Sequence, residues 1–532
     1  MLSKILPICL MAVQCATAMK FVMYADEYHT KILPGRNQTQ GITHAIMAFA
    51  PSTLFNGDSP KHFTPFEPIS TMRERFAKDT KVLIAVGGWG DTAGFSEGAR
   101  DEKSRARYAQ NVAAMLESTG FDGVDIDWEY PGGNGQDYKK IPNSEKKWEI
   151  EAYPLFLEAI RNALPKDKAL TIAVPGREVD MIAYTKEQGP KIWPSVDFVN
   201  VMSYDLMNRR SNVTMHHSSV ERSLETINNY AEIGLAADKM NLGIAYYAKW
   251  FTTDPDADCD TDPLGCDVVP LENPDGTGNG KSGVVTFEKG NMGPPPENIK
   301  VSTDGTCGLG KGRCPGGQCC SQYGNCGNGD DFCQSGCRSE YGACKGVSVM
   351  GSWRRAQQNG KTDQKAGGQY YWDPAAHLFW TWETPELIGR KFEDIVDPKK
   401  LGGVMAWSLG EDSYDWSHVE AMQRGIGHKQ RRHPGSFPRP LKCSSLSPGQ
   451  PLASTVHSSY LSFFKQNVFH VHLSDNLINN GDHTYLDVLS ERASRAAWSS
   501  WRQRGEASVD ADRDGGASCD YRQGFTPIMR EV

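Results

Sequence analysis

Phe121-Asp122-Gly123-Val124-Asp125-Ile126-Asp127-Trp128-Glu129-Tyr130 reads as a buried strand with acids along one face. Side chains alternate across an extended chain, so Asp125, Asp127 and Glu129 project together while Val124, Ile126 and Trp128 pack behind them. Three carboxyls crowded at one site resist simultaneous ionisation. The crowding is expected to raise at least one pKa and to keep a protonated carboxylic acid available near neutral pH. That is the chemistry of a general acid. An acidic strand edge facing solvent fits less well, because solvated acids rarely alternate with so apolar a set of partners. Asp122 is out of phase with the other three and is expected to be structural.

The same pattern extends outward from this strand. Short β-branched or aromatic runs alternate with amphipathic helices, which predicts a parallel sheet with helical crossovers. Strands are expected at Lys20 to Tyr24, Thr43 to Phe49, Lys81 to Val86, Gly123 to Glu129, Leu170 to Val174, Phe198 to Tyr204, Asn241 to Tyr246 and Gly403 to Ser408. Helical spacing links Tyr108, Val112, Met115 and Leu116, and again Phe156, Leu157, Ile160 and Leu164. Eight such units predict an α/β fold, a (β/α)8 TIM barrel, with its chemistry where the strands end. Gly87, Gly88, Glu129, Tyr204, Asp205 and Trp407 all fall at expected strand C-termini. The stretch between the seventh and eighth strands is too long for a plain loop, so the barrel at 19–426 is expected to be interrupted by an insertion at 252–369.

Length and composition fit this division. A chain of 532 residues exceeds one ordinary domain, and 39% hydrophobic with 10% aromatic residues is globular. A net charge of −8 gives no electrostatic case for nucleic acid or an anionic membrane. A neutral polymer is the better partner. Lys4, the apolar run Ile5 to Val13 and Ala16-Thr17-Ala18 resemble a signal peptide at 1–18, so a secreted, extracellular protein is expected. Sequons at Asn37-Gln38-Thr39 and Asn212-Val213-Thr214 fit that route.

Of the 14 cysteines, Cys9 and Cys15 lie in the leader, and eight fall between Cys307 and Cys344. So dense a cluster marks a small disulfide-stapled module at 304–345 in an oxidising compartment. Cys259 and Cys266 are expected to close a local loop. Cys443 and Cys519 are left for each other or for nothing. A zinc site is disfavoured, since a secreted chain oxidises its thiols and no histidine lies within the cluster.

With Tyr130-Pro131 following, Asp122, Asp125, Asp127 and Glu129 resemble the DxxDxDxE signature of glycoside hydrolase family 18, the chitinases. Met202-Ser203-Tyr204-Asp205 resembles that family's Met-x-Tyr-Asp motif, and Gly402-Gly403-Val404-Met405-Ala406-Trp407 its last strand. Ala85-Val86-Gly87-Gly88 stands where the family usually has Ser-x-Gly-Gly. Alanine cannot hydrogen-bond the buried acids, so the tuning of Asp125 is expected to differ.

The resemblance implies substrate-assisted hydrolysis with retention. It assigns Glu129 as proton donor, Asp127 as the acid that orients the substrate acetamide, Asp125 as the acid sharing a proton with Asp127, and Tyr204 as a phenol donating to the acetamide oxygen. Trp407 would be the floor under the reacting sugar, with Asp205, Met202, Phe49 and Tyr130 as further substrate-binding residues. No metal or organic cofactor is implied, because the acetamide supplies the nucleophile.

The cysteine cluster, with Cys319-Cys320-Ser321-Gln322-Tyr323-Gly324-Asn325-Cys326-Gly327 at its centre, resembles a hevein-type chitin-binding module. So small a segment needs staples and leaves aromatics exposed. The resemblance implies pairs Cys307 with Cys320, Cys314 with Cys326, Cys319 with Cys333 and Cys337 with Cys344, and a sugar site at Ser321, Tyr323 and Phe332. Asn325 stands where the module is often aromatic. Barrel and module together resemble fungal enzymes of the class V type.

Residues 427–532 begin basic and proline-rich and are read as an extension of uncertain order. Only Lys465 to Leu477, with His470, His472 and Asp475, resembles a strand segment of family 20 β-N-acetylhexosaminidases. The expected activity is that of a secreted, monomeric endochitinase acting on chitin and chitooligosaccharides. A non-catalytic chitin lectin of the same fold, and an endo-β-N-acetylglucosaminidase acting on N-glycans, remain alternatives.

Overall fold

The computed structural model describes residues 19–293, 297–333 and 336–432. The expected leader, its cleavage point, Cys443, Cys519 and the family 20-like segment lie outside them. Eight parallel strands close a barrel: β1 (Lys20–Asp26), β2 (His44–Ala50), β3 (Lys81–Gly87), β4 (Gly123–Asp127), β5 (Ala169–Val174), β6 (Phe198–Val201), β7 (Met240–Ala245) and, after an insertion, β15 (Gly403–Trp407), which returns to pair with β1 and β7. All eight lie where the hydrophobic pattern puts them. The (β/α)8 barrel is therefore the fold.

Two expected strands end early. β4 stops at Asp127 and β6 at Val201, because the ladders run out: β5 pairs with β4 only as far as Ile126, and β3 only as far as Asp127. Glu129, Tyr204 and Asp205 therefore lie beyond the sheet, on the rim, where backbone is no longer committed to neighbours. Gly87 shows how tightly the rim is packed. Its φ is +99°, and a Cβ there would lie 2.5 Å from the Asp127 carbonyl and 2.4 Å from Phe95. Only glycine lets β3 end against β4 in this way.

The alternation in β4 separates two cores. Val124, Ile126 and Trp128 are buried in the outer layer between barrel and helices, where Trp128 stacks on Phe95 and meets Phe156 edge-on. That layer is lined by the helices Glu102–Thr119 and Glu149–Ala163. Inside the barrel lie Val22, Tyr24, Ile46, Leu83, Ala85 and Met405, together with the buried polar groups Asp125, Thr171 and Asn200. Asp122, out of phase, accepts a hydrogen bond from the Val82 N–H at 2.8 Å and pairs with Arg73 at 2.8 Å.

The insertion is a folded sheet, which periodicity did not reveal. β8 (Tyr247–Thr252) leaves β7 after the single residue Tyr246 and pairs with β9 (Ser282–Thr286) and β14 (Leu378–Trp382). β14 continues to β13 (Gly368–Asp373) and β12 (Lys361–Asp363), giving a five-stranded antiparallel sheet. Its strands thus reach beyond 252–369 at both ends, because β8 pairs with β14 across more than a hundred residues and that pairing leaves no local signature. The helix Val349–Asn359 covers the sheet through Trp353, which packs against Trp380 and Trp382.

Between β9 and that helix lies the cysteine module, with the short strands β10 (Cys319–Cys320) and β11 (Cys326–Gly327). Disulfides join Cys307–Cys320, Cys314–Cys326, Cys319–Cys333 and Cys337–Cys344, the same four pairs that the resemblance names, and Cys259–Cys266 closes a local loop. The last helix, Ser417–Arg432, runs past Ile426 through the basic residues.

Candidate active site

Asp125 is fully buried at the barrel axis and is held from three strands, with a fourth supporting one of its partners. Its Oδ2 accepts from the Tyr24 hydroxyl of β1 at 2.7 Å, while its Oδ1 accepts from Thr171 Oγ1 of β5 at 2.5 Å and from Asn200 Nδ2 of β6 at 3.3 Å. Asn241 of β7 donates in turn to Asn200 Oδ1 at 3.0 Å. Burial pushes the Asp125 carboxyl up, the three hydrogen bonds draw it back, and it settles at about 6. The alternation of acids in the sequence predicts such a rise from crowding of like charges. In the structure burial is the largest cause, because the carboxyl has no access to water.

Asp127 and Glu129 follow toward the rim and are nearly as enclosed, at 3% and 6% exposure. Both line a cleft of about 840 Å³ over the C-terminal ends of the strands, together with Tyr130, Met202, Tyr204, Asp205 and Trp407. A cleft of this size is typical of small-molecule or oligomer sites. The peptides Ala48–Phe49, Glu129–Tyr130 and Trp407–Ser408 at these strand ends are cis. Phe49 reaches the site through Trp407, whose ring it stacks on at 5.6 Å with a 19° interplanar angle. Tyr24 lies against the same indole at 5.6 Å.

Asp205 has a different environment from Asp125. Burial by itself would raise its pKa, but Lys249 Nζ at 2.9 Å, helped by His217, holds the carboxyl at about 2. Tyr247 also donates to it at 3.0 Å. One interior acid is thus protonated in mildly acidic solution and the other is ionised throughout. Such a split is what acid–base chemistry on one fold requires.

Several groups in the site were not singled out by motif or spacing. Tyr24, Thr171 and Asn200 lie on strands whose inward residues look like ordinary core in the sequence. Trp89, directly after Gly87-Gly88, lines the cleft and meets Tyr130 edge-on at 6.3 Å. An aromatic residue at a strand end was the available signal for it. Arg210 packs over the Tyr138 ring at 3.9 Å and near Trp89 at 5.5 Å. Below Trp407, Asp26 accepts from Ser408 Oγ at 2.5 Å and from His29 Nδ1 at 2.7 Å.

In the cysteine module the three residues named for sugar contact separate. Tyr323 is exposed and lines the cleft. Ser321 is buried, its Oγ accepting from the Asn325 N–H at 3.2 Å. Phe332 is half-buried against the disulfides Cys319–Cys333 and Cys337–Cys344.

A parallel barrel with carboxyls converging on an aromatic-lined cleft at its C-terminal end defines a (β/α)8 protein of the glycosidase type. The model of glycosyl hydrolases family 18 matches residues 20–412, and the chain belongs to that family. Among curated proteins it is similar to chitotriosidase-1 of Mus musculus, 28% identical over 311 residues that make up 53% of this chain and 62% of the other. It is also similar to chitinase 1 of Aphanocladium album, 25% identical over 264 residues, 42% and 59% of the two chains. The chain thus spans about three fifths of the length of these relatives. Among solved structures, a chitinase from Rhizomucor miehei superposes with a TM-score of 0.51 at 18% identity, over 76% of this chain and 99% of that one. A family 18 chitinase from Cycas revoluta in complex with (GlcNAc)4 gives 0.50 at 16%, over 77% and 99%. At these identities the superpositions speak for the fold.

Proposed function

We propose that this chain is a secreted endochitinase that hydrolyses β-1,4 linkages between N-acetylglucosamine units of chitin, with retention and with the substrate's own acetamide as nucleophile. The observation that carries the reading is the convergence of Asp127, Glu129, Tyr204 and Trp407 on one cleft, with Asp125 buried behind it and bonded to Tyr24 of the same lining. The names of the curated relatives, chitotriosidase and chitinase, support the substrate.

Glu129, at the rim, protonates the glycosidic oxygen as the bond to the anomeric carbon breaks. The acetamide carbonyl oxygen attacks that carbon and gives an oxazolinium ion. Asp127 orients the acetamide N–H and offsets the positive charge that develops on it, and Asp125 supports it from two residues back on the same face of β4. Tyr204 donates its hydroxyl to the acetamide oxygen. Trp407, backed by Phe49 and Tyr24, offers a flat apolar face to the pyranose ring. Glu129, now a carboxylate, activates the water that opens the oxazolinium ion. The acetamide does the work of the second carboxylate in other retaining glycosidases.

The cysteine module is read as a hevein-like chitin-binding unit, and its combination with the barrel as the fungal class V type. The test is hydrolysis of soluble chitooligosaccharides by the wild type, abolished by Glu129→Gln while chitin binding survives. Binding without hydrolysis by the wild type would make the chain a lectin. Release of intact glycans from a glycoprotein would make it an endo-β-N-acetylglucosaminidase.

A further inference from the structure

A binding module on a flexible tether acts by raising local substrate concentration, whatever its orientation. The module here is fixed in place. Its Glu340 Oε1 faces two nitrogens of Arg354, Nε at 3.1 Å and Nη2 at 3.0 Å, on the helix Val349–Asn359 that packs on the insertion sheet. Ser339 and Ser348 share a hydrogen bond at 2.8 Å. On the other side, the backbone of residues 300–302 pairs with Arg313, the Arg313 N–H donating to the Lys300 carbonyl at 2.8 Å and the Ser302 N–H to the Arg313 carbonyl at 2.7 Å. At Gly290 the main chain meets the module directly: a Cβ there would lie 3.7 Å from Leu309 and 3.8 Å from Arg338.

The consequence is in the cleft. The same 840 Å³ space that holds Glu129 and Trp407 is also lined by Leu309, Lys311 and Tyr323 of the module. Tyr323 and Leu309 are 43% and 42% exposed, so both present apolar surface to that space. They face a cleft that continues to the reacting centre, so the occupant that fits is the same linear polymer of N-acetylglucosamine. Its sugar faces need aromatic surfaces at intervals along one path, and Trp407 and Tyr323 provide two.

We propose that the cysteine module forms one wall of the catalytic cleft, and that Tyr323 with Leu309 builds a distal sugar subsite of the barrel, so that module and barrel grip a single chain at once. This rests on the proposed chitinase reading. The module then acts on soluble substrates, and its contribution grows with chain length. A tethered anchor would instead affect only insoluble polymer.

The test uses the full chain and the soluble N-acetylglucosamine oligomer series. Tyr323→Ala is expected to lower the ratio of kcat/KM on long oligomers to that on short ones by roughly tenfold, the loss expected for one stacked ring. Tyr323→Phe, which keeps the ring, should retain the ratio, and Leu309→Ala should lower it by a smaller factor. A ratio unchanged in both alanine variants overturns the proposal, whether or not adsorption to insoluble chitin falls. Should the wild type hydrolyse no oligomer, the function reading fails, and the subsite is read by calorimetric titration of the Glu129→Gln protein instead. One long oligomer per chain, bound roughly tenfold more weakly after Tyr323→Ala, supports the shared cleft. Two independent oligomers per chain, or an unchanged affinity, sinks it.

Discussion

Thr171 donates its hydroxyl to Asp125 from the adjacent strand, in direct register and at 2.5 Å, while the residue in register on the opposite side is Ala85. The serine expected at Ala85 is missing, and the acid is instead held from β5, β1 and β6. Hydrogen bonds to the ionised form lower a carboxyl pKa. Thr171→Val removes one, so Asp125 is expected to move above its value of about 6, and Ala85→Ser, which adds a donor, to move it down. Each shift should be on the order of one unit. The acidic limb of the kcat–pH profile reports both, moving to higher pH in the first variant and to lower pH in the second. A limb that stays put in both would remove Asp125 from the titration that governs turnover.

Tyr204 is buried beside Met405, its hydroxyl 3.9 Å from the sulfur. If its hydroxyl aligns the acetamide oxygen for attack on the anomeric carbon, Tyr204→Phe should lower kcat by roughly a hundredfold and change KM little, as for loss of near-attack alignment. A proportionate rise in KM with kcat intact would show that the phenol binds the ground state instead.

The Asp205–Lys249 pair makes a prediction for stability. The Asp205 pKa lies near 2 against an ordinary 3.8. The unfolded chain therefore binds the extra proton first, and the pair's contribution is complete above about 3.8 and fades as pH falls through 2. Lys249→Met should abolish that slope and cost about 3–5 kcal/mol at neutral pH, since it leaves a buried carboxylate without its partner. Urea unfolding at stepped acidic pH compares the two proteins. A variant as stable as wild type at neutral pH would contradict the assignment.

Beneath Trp407, His29 lies between Asp26 and Glu411. Burial would lower the imidazole, but the hydrogen bond and charge of Asp26 carry it up to about 9. Burial raises Glu411 to about 8. A raised folded-state pKa gives stability that is present at low pH and lost on the way up. For His29 the loss runs from 6.5 to about 9, and for Glu411 from 4.5 to about 8. The melting temperature should accordingly fall as pH rises from neutral to 9, with an imidazole resonance titrating near the upper end. Titration of His29 at its ordinary 6.5 would count against the network.

The strand pattern and the alternation of acids in β4 are legible in sequence because both are local. A period of two, repeated over a few residues, assigns each side chain to a face whatever the rest of the chain does. The eight strands, the outward packing of Trp128 and the isolation of Asp122 all follow from it, and the cysteine spacing marks a stapled module for the same reason. The limits are equally physical. Glu129 lies past the end of its strand, and where a ladder ends depends on how far the neighbouring strands extend.

Closure of the barrel decided the rest. Tyr24, Thr171 and Asn200 come from three separate strands and meet at Asp125 only because the sheet curls until they face one axis. The five-stranded insertion sheet pairs residues near 250 with residues near 380, a contact no short-range pattern encodes. The placement of Tyr323 on the same cleft as Glu129 depends on that sheet and on the Arg354–Glu340 pair. Local sequence sets which face a side chain takes, whereas which faces meet is set by long-range pairing, and there the surroundings of the acids and the reach of the cleft were determined.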